Sequence, residues 1–116
     1  MNESTILKQI WLALSQSATL FRNNVGVAFQ PNGQVIKYGL CKGSSDLIGW
    51  RSIDITQDMV GNTIAQFIAV EVKTKTGRPT KEQINFLHQL DKAGGCAILA
   101  KSPEDAEKQM KGHKNV

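Results

Sequence analysis

The chain has 116 residues, 14 Lys and Arg against 10 Asp and Glu, two Cys and 41% hydrophobic residues. This length suits one domain over residues 1–116 that buries a core without staples, and the ordinary charged and apolar fractions exclude intrinsic disorder. A net charge of +4 is compatible with a nucleic-acid partner without establishing one, as many basic proteins bind none.

In chain order, Ile6, Leu7, Ile10, Trp11 and Leu14 recur at helical spacing and predict a helix over residues 2–16, with Asn2 or Ser4 as its cap. Residues 19–30 read as extended with a break at Asn23-Asn24, followed by a turn at Pro31-Asn32-Gly33 and a strand over Val35–Tyr38. A small-residue turn at Gly43–Ser45 leads into an extended run from Asp46 to Ile55. Gly61-Asn62 separates that run from a strand over Ile64–Lys75, apolar on both faces and so expected to be central in its sheet. Thr80 to about Ala93 reads as a second helix stopped by Gly94-Gly95, and Cys96–Ala100 as a buried strand. Ser102-Pro103-Glu104 starts a third helix, and Lys111–Val116 is a polar tail. The fold class is α+β with a mixed sheet.

Glu71 and Lys73 share a side of their strand, because strand side chains repeat every two residues. They are either a strand-end ion pair or part of a site. If the run from Asp46 pairs antiparallel with Ile64–Lys75 through the Gly61-Asn62 loop, Asp46 comes beside Glu71. Two neighbouring carboxylates repel unless a cation lies between them, and oxygen ligands of that kind suit Mg²⁺. The other reading of Asp46 is a cap on its own turn. Glu3 lies on the apolar stripe of the first helix, although helix starts favour acids anyway. Gln83 is in line with Leu87 and Leu90, and Thr80–Gln83 also fits a capping box. Lys73, Lys75, Arg78 and Lys81 form a basic cluster able to neutralise backbone phosphates, or else a solvated charge run. His88 and His113 are too far apart for a helical metal pair, and Cys41 and Cys96 lack the spacing of a metal site or a disulfide scaffold, which fits a reduced, cytoplasmic compartment. The first residues lack the pattern of a secretory leader, and no apolar run is long enough for a membrane span.

An acid in the first helix, Gly43-Ser-Ser-Asp46-Leu-Ile-Gly49, Glu71-Val-Lys73 on a strand and Thr80–Gln83 opening the next helix resemble the PD-(D/E)XK nucleases. Their order and spacing over about residues 1–110 look like the virus-type replication-repair nuclease (VRR-NUC) domain, in its small standalone phage and bacterial form. Ser45 stands where the superfamily usually has proline, a variation familiar in this family. The resemblance implies a restriction-endonuclease-like core in the order α-β-β-β-α-β with a C-terminal helix. It implies that Asp46, Glu71 and the Val72 carbonyl bind Mg²⁺, with Mn²⁺ as a substitute, and that Lys73 orients or helps deprotonate the attacking water. Glu3 would complete the shell and Gln83 would position water or substrate. Arg22, Asn23, Lys75, Arg78 and Lys81 would contact DNA.

The activity implied is metal-dependent endonucleolytic hydrolysis of structured DNA (branches, junctions or flaps), as in a Holliday-junction resolvase. Symmetric cutting by a one-site chain would need a homodimer. The compartment implied is the cytoplasm, the host's if the protein is phage-encoded, with no membrane partner. The alternative is a non-catalytic basic DNA-binding module on a degenerate nuclease fold.

Overall fold

A computed structural model describes residues 2–112, so His113 and the end of the expected polar tail lie outside the described residues. The chain divides into two compact units at Arg51–Ser52.

In the first unit, helix α1 covers Glu3–Leu14. Of the two candidate caps Asn2 serves, its Oδ1 accepting from the Thr5 N–H at 2.9 Å. The extended run that follows breaks at Asn23–Val25 into strands β1 (Thr19–Arg22) and β2 (Gly26–Phe29). Strand β2 pairs antiparallel with β3 (Val35–Tyr38), Phe29 opposite Val35, across the expected Pro31–Gly33 turn. Strand β4 (Leu47–Trp50) pairs antiparallel with β1, setting Arg22 opposite Leu47. Phe21 and Trp50 brace this ladder diagonally, ring centroids 5.4 Å apart and tilted by 55°, a favoured aromatic geometry.

The second unit begins with a 3-10 turn at Gln57–Met59 and continues through β5 (Ile68–Val72), helix α2 (Lys81–Ala93), β6 (Cys96–Ala100) and helix α3 (Pro103–Gly112). Strands β5 and β6 pair in parallel, Ile68 opposite Cys96 and Val72 opposite Ala100, with α2 as the crossover that parallel strands require. Thr80 caps α2 through a full capping box, and the Gly94 and Gly95 N–H groups close it on the Asp91 and Leu90 carbonyls at 3.1 and 2.9 Å. Ser102 caps α3 by accepting from the Asp105 N–H at 3.1 Å. Helices α2 and α3 both pack on β6. Cys96, Ile98 and Ala100 form the core with Ala106 of α3 against them, and Leu90 of α2 is fully buried. Burial pushes the Cys96 thiol pKa up, and the Asp91 carboxylate adds to the rise.

The α+β class and the order of elements agree with the sequence. Two expectations about pairing do not. The run from Asp46 does not form a hairpin with the strand carrying Glu71: β4 pairs with β1, and β5 with β6. Nor is β5 a central strand, since β6 is its one partner among the described residues and Ile68, Val70 and Val72 remain exposed. Alternation records which faces are apolar and leaves the choice of hydrogen-bonding neighbour open. Both strands are also shorter than the apolar runs that contain them, because a ladder extends only as far as its partner does.

Candidate active site

The motif Gly43–Gly49 is built around the end of β1. The Asn23 N–H donates to the Asp46 carbonyl at 2.8 Å, carrying the ladder one residue past β1. The Asn23 side-chain amide then holds the preceding loop from three sides. Its Nδ2 donates to Ser44 Oγ at 2.7 Å and to the Ser45 carbonyl at 2.8 Å, and its Oδ1 accepts from the Leu40 N–H at 2.9 Å. Ser44 Oγ in turn donates to the Cys41 carbonyl at 2.6 Å. Gly43 turns the loop with φ of +87°, a conformation that side chains with a Cβ resist. Gly49 has a different reason: a Cβ there would fall on the Thr19 carbonyl oxygen across the ladder. The result is a fixed backbone from which the Asp46 side chain projects, 73% exposed.

Arg22 is the neighbour of that carboxylate. Its Nη1 lies 3.4 Å from Asp46 Oδ1 and 3.3 Å from the Asp46 carbonyl, with the guanidinium side chain 41% exposed.

In the second unit, β5 presents Ala69, Glu71 and then Lys73 on its half-buried side, while Val72 between them points its side chain outward. The Lys73 N–H donates to the Ala100 carbonyl at 3.1 Å, so the residue just past β5 is still held by β6. Lys73 Nζ lies 3.5 Å from Glu71 Oε2, with the two side chains 19% and 29% exposed. At that burial the Coulomb attraction is screened less than at the open surface. Glu71 also lines a cavity of about 250 Å³ with Ala69, Val70 and four residues of α2: Glu82, Gln83, Phe86 and Leu87. Those four share a helix face through i, i+4 spacing.

Gln83 is therefore both a cap and a cavity residue. Its Oε1 accepts from the Thr80 N–H at 2.9 Å, which directs its Nε2 donors to any role in the cavity. The two readings of this residue are compatible. Glu3 opens α1 in the first unit and is exposed.

The basic residues Lys75, Arg78 and Lys81 are all exposed, the first two on the turn after β5 and the third at the start of α2. The turn itself is closed by the Gly77 N–H donating to Thr74 Oγ1 and to the Thr74 carbonyl, both at 3.1 Å. Lys101 Nζ donates to the Lys75 carbonyl at 3.0 Å, bringing a further cation to this edge.

Sequence reasoning passed over Glu82 and Lys101. Glu82 was legible from its place beside Gln83, one turn before Phe86. Lys101 was not, since only the parallel pairing of β5 and β6 brings its end of β6 to the end of β5.

A carboxylate–ammonium pair at the end of a strand, beside a helix that offers an amide, is the constellation of the PD-(D/E)XK pattern. The family model for the VRR-NUC domain matches residues 14–104. The chain belongs to the VRR-NUC family. No curated protein and no solved structure matches it. The family has the PD-(D/E)XK-like fold and is one of nucleases acting on DNA, and enzymes of that type generally use divalent metals. The VRR-NUC match takes in every candidate residue except Glu3, which lies before its first position.

The donor chemistry suits a hard divalent ion. Among the described residues no group of three or more His, Cys, Asp and Glu side chains is placed to hold a metal. Mg²⁺, however, is usually bound through one or two carboxylates and keeps several waters, so a single carboxylate such as that of Glu71 is a donor of the right kind. No helix among the described residues is long and apolar enough to cross a membrane.

Proposed function

We propose that this chain is a divalent-metal-dependent endonuclease that hydrolyses phosphodiester bonds in structured DNA such as junctions, branches or flaps. The observation that carries the proposal is the half-buried Glu71–Lys73 pair at 3.5 Å, whose Glu71 lines a cavity together with Gln83, in a chain of this nuclease family. Asp46 and Glu71 are its metal ligands, with the Val72 carbonyl as a further oxygen donor and Mg²⁺ or Mn²⁺ as the ion. The bound ion would lower the pKa of a water and offset charge developing on the phosphate.

The residues do the rest. Lys73 holds the attacking water by hydrogen bonding and places a fixed positive charge beside the phosphorus as a fifth oxygen approaches. Gln83, with Oε1 engaged at the helix cap, orients water or a phosphate oxygen through Nε2. Water adds its oxygen to phosphorus and gives up a proton to solvent, one P–O ester bond breaks, and the leaving oxygen takes up a proton in turn. Glu3 assists as an outer carboxylate.

Arg22, Lys75, Arg78 and Lys81 contact backbone phosphates, and Asn23 contributes to DNA contact beside Arg22 through the loop it holds. The sequence carries no recognition-helix motif and no aromatic ladder, so preference rests on DNA shape. The active species is a homodimer that brings two sites to two strands, in the cytoplasm of the cell that makes it.

The test is cleavage of four-way-junction, flap and linear duplex substrates with Mg²⁺ by the wild type and by Asp46→Asn, Glu71→Gln and Lys73→Ala. The wild type should cut the branched substrates in preference, and each substitution should reduce the rate at least a hundredfold. Full activity in Asp46→Asn or Lys73→Ala refutes the site. A wild type that binds junctions but never cuts them supports the DNA-binding module instead.

A further inference from the structure

The two residues that bracket the Asp46 loop are unequal partners. Asn23 fixes the backbone through short contacts of 2.7 to 2.9 Å, whereas Arg22 reaches the carboxylate over 3.4 Å from an exposed position. An exposed pair at that distance is weak and exchanges readily. Asp46 meanwhile projects into solvent on a held backbone, so a change of counterion needs no movement of the loop.

We infer that Arg22 is the resident counterion of Asp46 in the metal-free protein, and that a divalent ion displaces it and frees the guanidinium for a DNA phosphate. This inference rests on Asp46 being a metal ligand. It adds that metal and Arg22 compete for one carboxylate, so the loss of Arg22 moves metal affinity and DNA affinity in opposite directions. A guanidinium that merely braced the loop would lower both. A planar fork of donors that leaves a carboxylate is well shaped to take two phosphate oxygens.

The experiment is calorimetric titration of the full chain with Mn²⁺, together with binding of a four-way junction in Ca²⁺ at several salt concentrations. It compares wild type, Arg22→Gln, Arg22→Lys and Asp46→Asn. Arg22→Gln should bind Mn²⁺ about two- to fivefold more tightly, the range an exposed pair supports. Its junction affinity should fall, with a salt dependence shallower by about one phosphate contact. Arg22→Lys, which keeps the charge, should bind Mn²⁺ within about twofold of wild type, on the same reasoning. Unchanged or weaker Mn²⁺ binding in Arg22→Gln overturns the competition, as does a Lys variant as tight as the Gln variant. If wild type takes up no Mn²⁺, or Asp46→Asn binds it as wild type does, the metal-ligand reading itself fails and the inference falls with it.

Discussion

Replacing Asn23 by Ala removes three side-chain hydrogen bonds at once, those with Ser44 Oγ, the Ser45 carbonyl and the Leu40 N–H. A hydrogen bond contributes about 1 kcal/mol net, and water can reach part of this loop, so the loss should be about 2 kcal/mol. For a chain of this length that corresponds to a fall in Tm of about 8 °C. Asn23→Asp is the informative companion. It keeps an acceptor for Leu40 but sets an oxygen against the Ser45 carbonyl and, because the Ser44 hydroxyl already donates to Cys41, against Ser44 Oγ too. It should cost at least as much as Ala despite its matching shape. Chemical denaturation of the metal-free protein measures both. A loss below about 0.5 kcal/mol for Ala, or an Asp variant as stable as wild type, would refute the account of Asn23 as the residue that holds the Asp46 loop.

Other substitutions divide stability from activity. Asp46→Asn touches an exposed side chain in a weak pair, so the Tm of the metal-free protein should move by no more than about 2 °C while cleavage is lost; a large fall would mean that the carboxylate is structural. Gly95→Ala would drive a Cβ into the Leu90 side chain, which is fully buried, and overpacking of this kind costs about 1–3 kcal/mol by denaturant titration. Thr80→Ala removes the half of the α2 capping box in which Thr80 Oγ1 accepts from the Gln83 N–H and should cost about 1 kcal/mol, while the backbone N–H of residue 80 still donates to Gln83 Oε1. The raised Cys96 thiol stays protonated in the fold after it would ionise in the unfolded chain. The unfolded state then holds fewer protons, so stability should decline as pH rises above about 9, a decline absent in Cys96→Ala. Cys41, which is exposed, should react with a thiol reagent long before Cys96 does.

Local features were legible because neighbouring residues decide them. The Asn2, Thr80 and Ser102 caps, the Gly94-Gly95 stop, the Pro31–Gly33 turn and the break after Arg22 depend on chemistry within a few positions, and each is where the residue types place it. The same holds for Glu71 and Lys73, since strand periodicity alone puts them on one side. The capping box that includes Gln83 was legible for a similar reason, and the same helix geometry sets Gln83 on the face that lines the cavity.

Tertiary structure decided which strands are neighbours. An apolar strand satisfies its ladder equally well with any suitable partner, and the Gly61-Asn62 loop that suggested a hairpin between Asp46 and Glu71 carried no information about competing partners. β1 took β4 and β6 took β5, which set Arg22 on Asp46 and brought Lys101 to Lys75. Such contacts join residues 24 and 26 positions apart, and no local pattern encodes them. Sequence by itself determined the order of the elements, the caps of α2 and α3 and the kinds of side chain on offer; pairing over long separations determined where the strands end and which of those side chains meet.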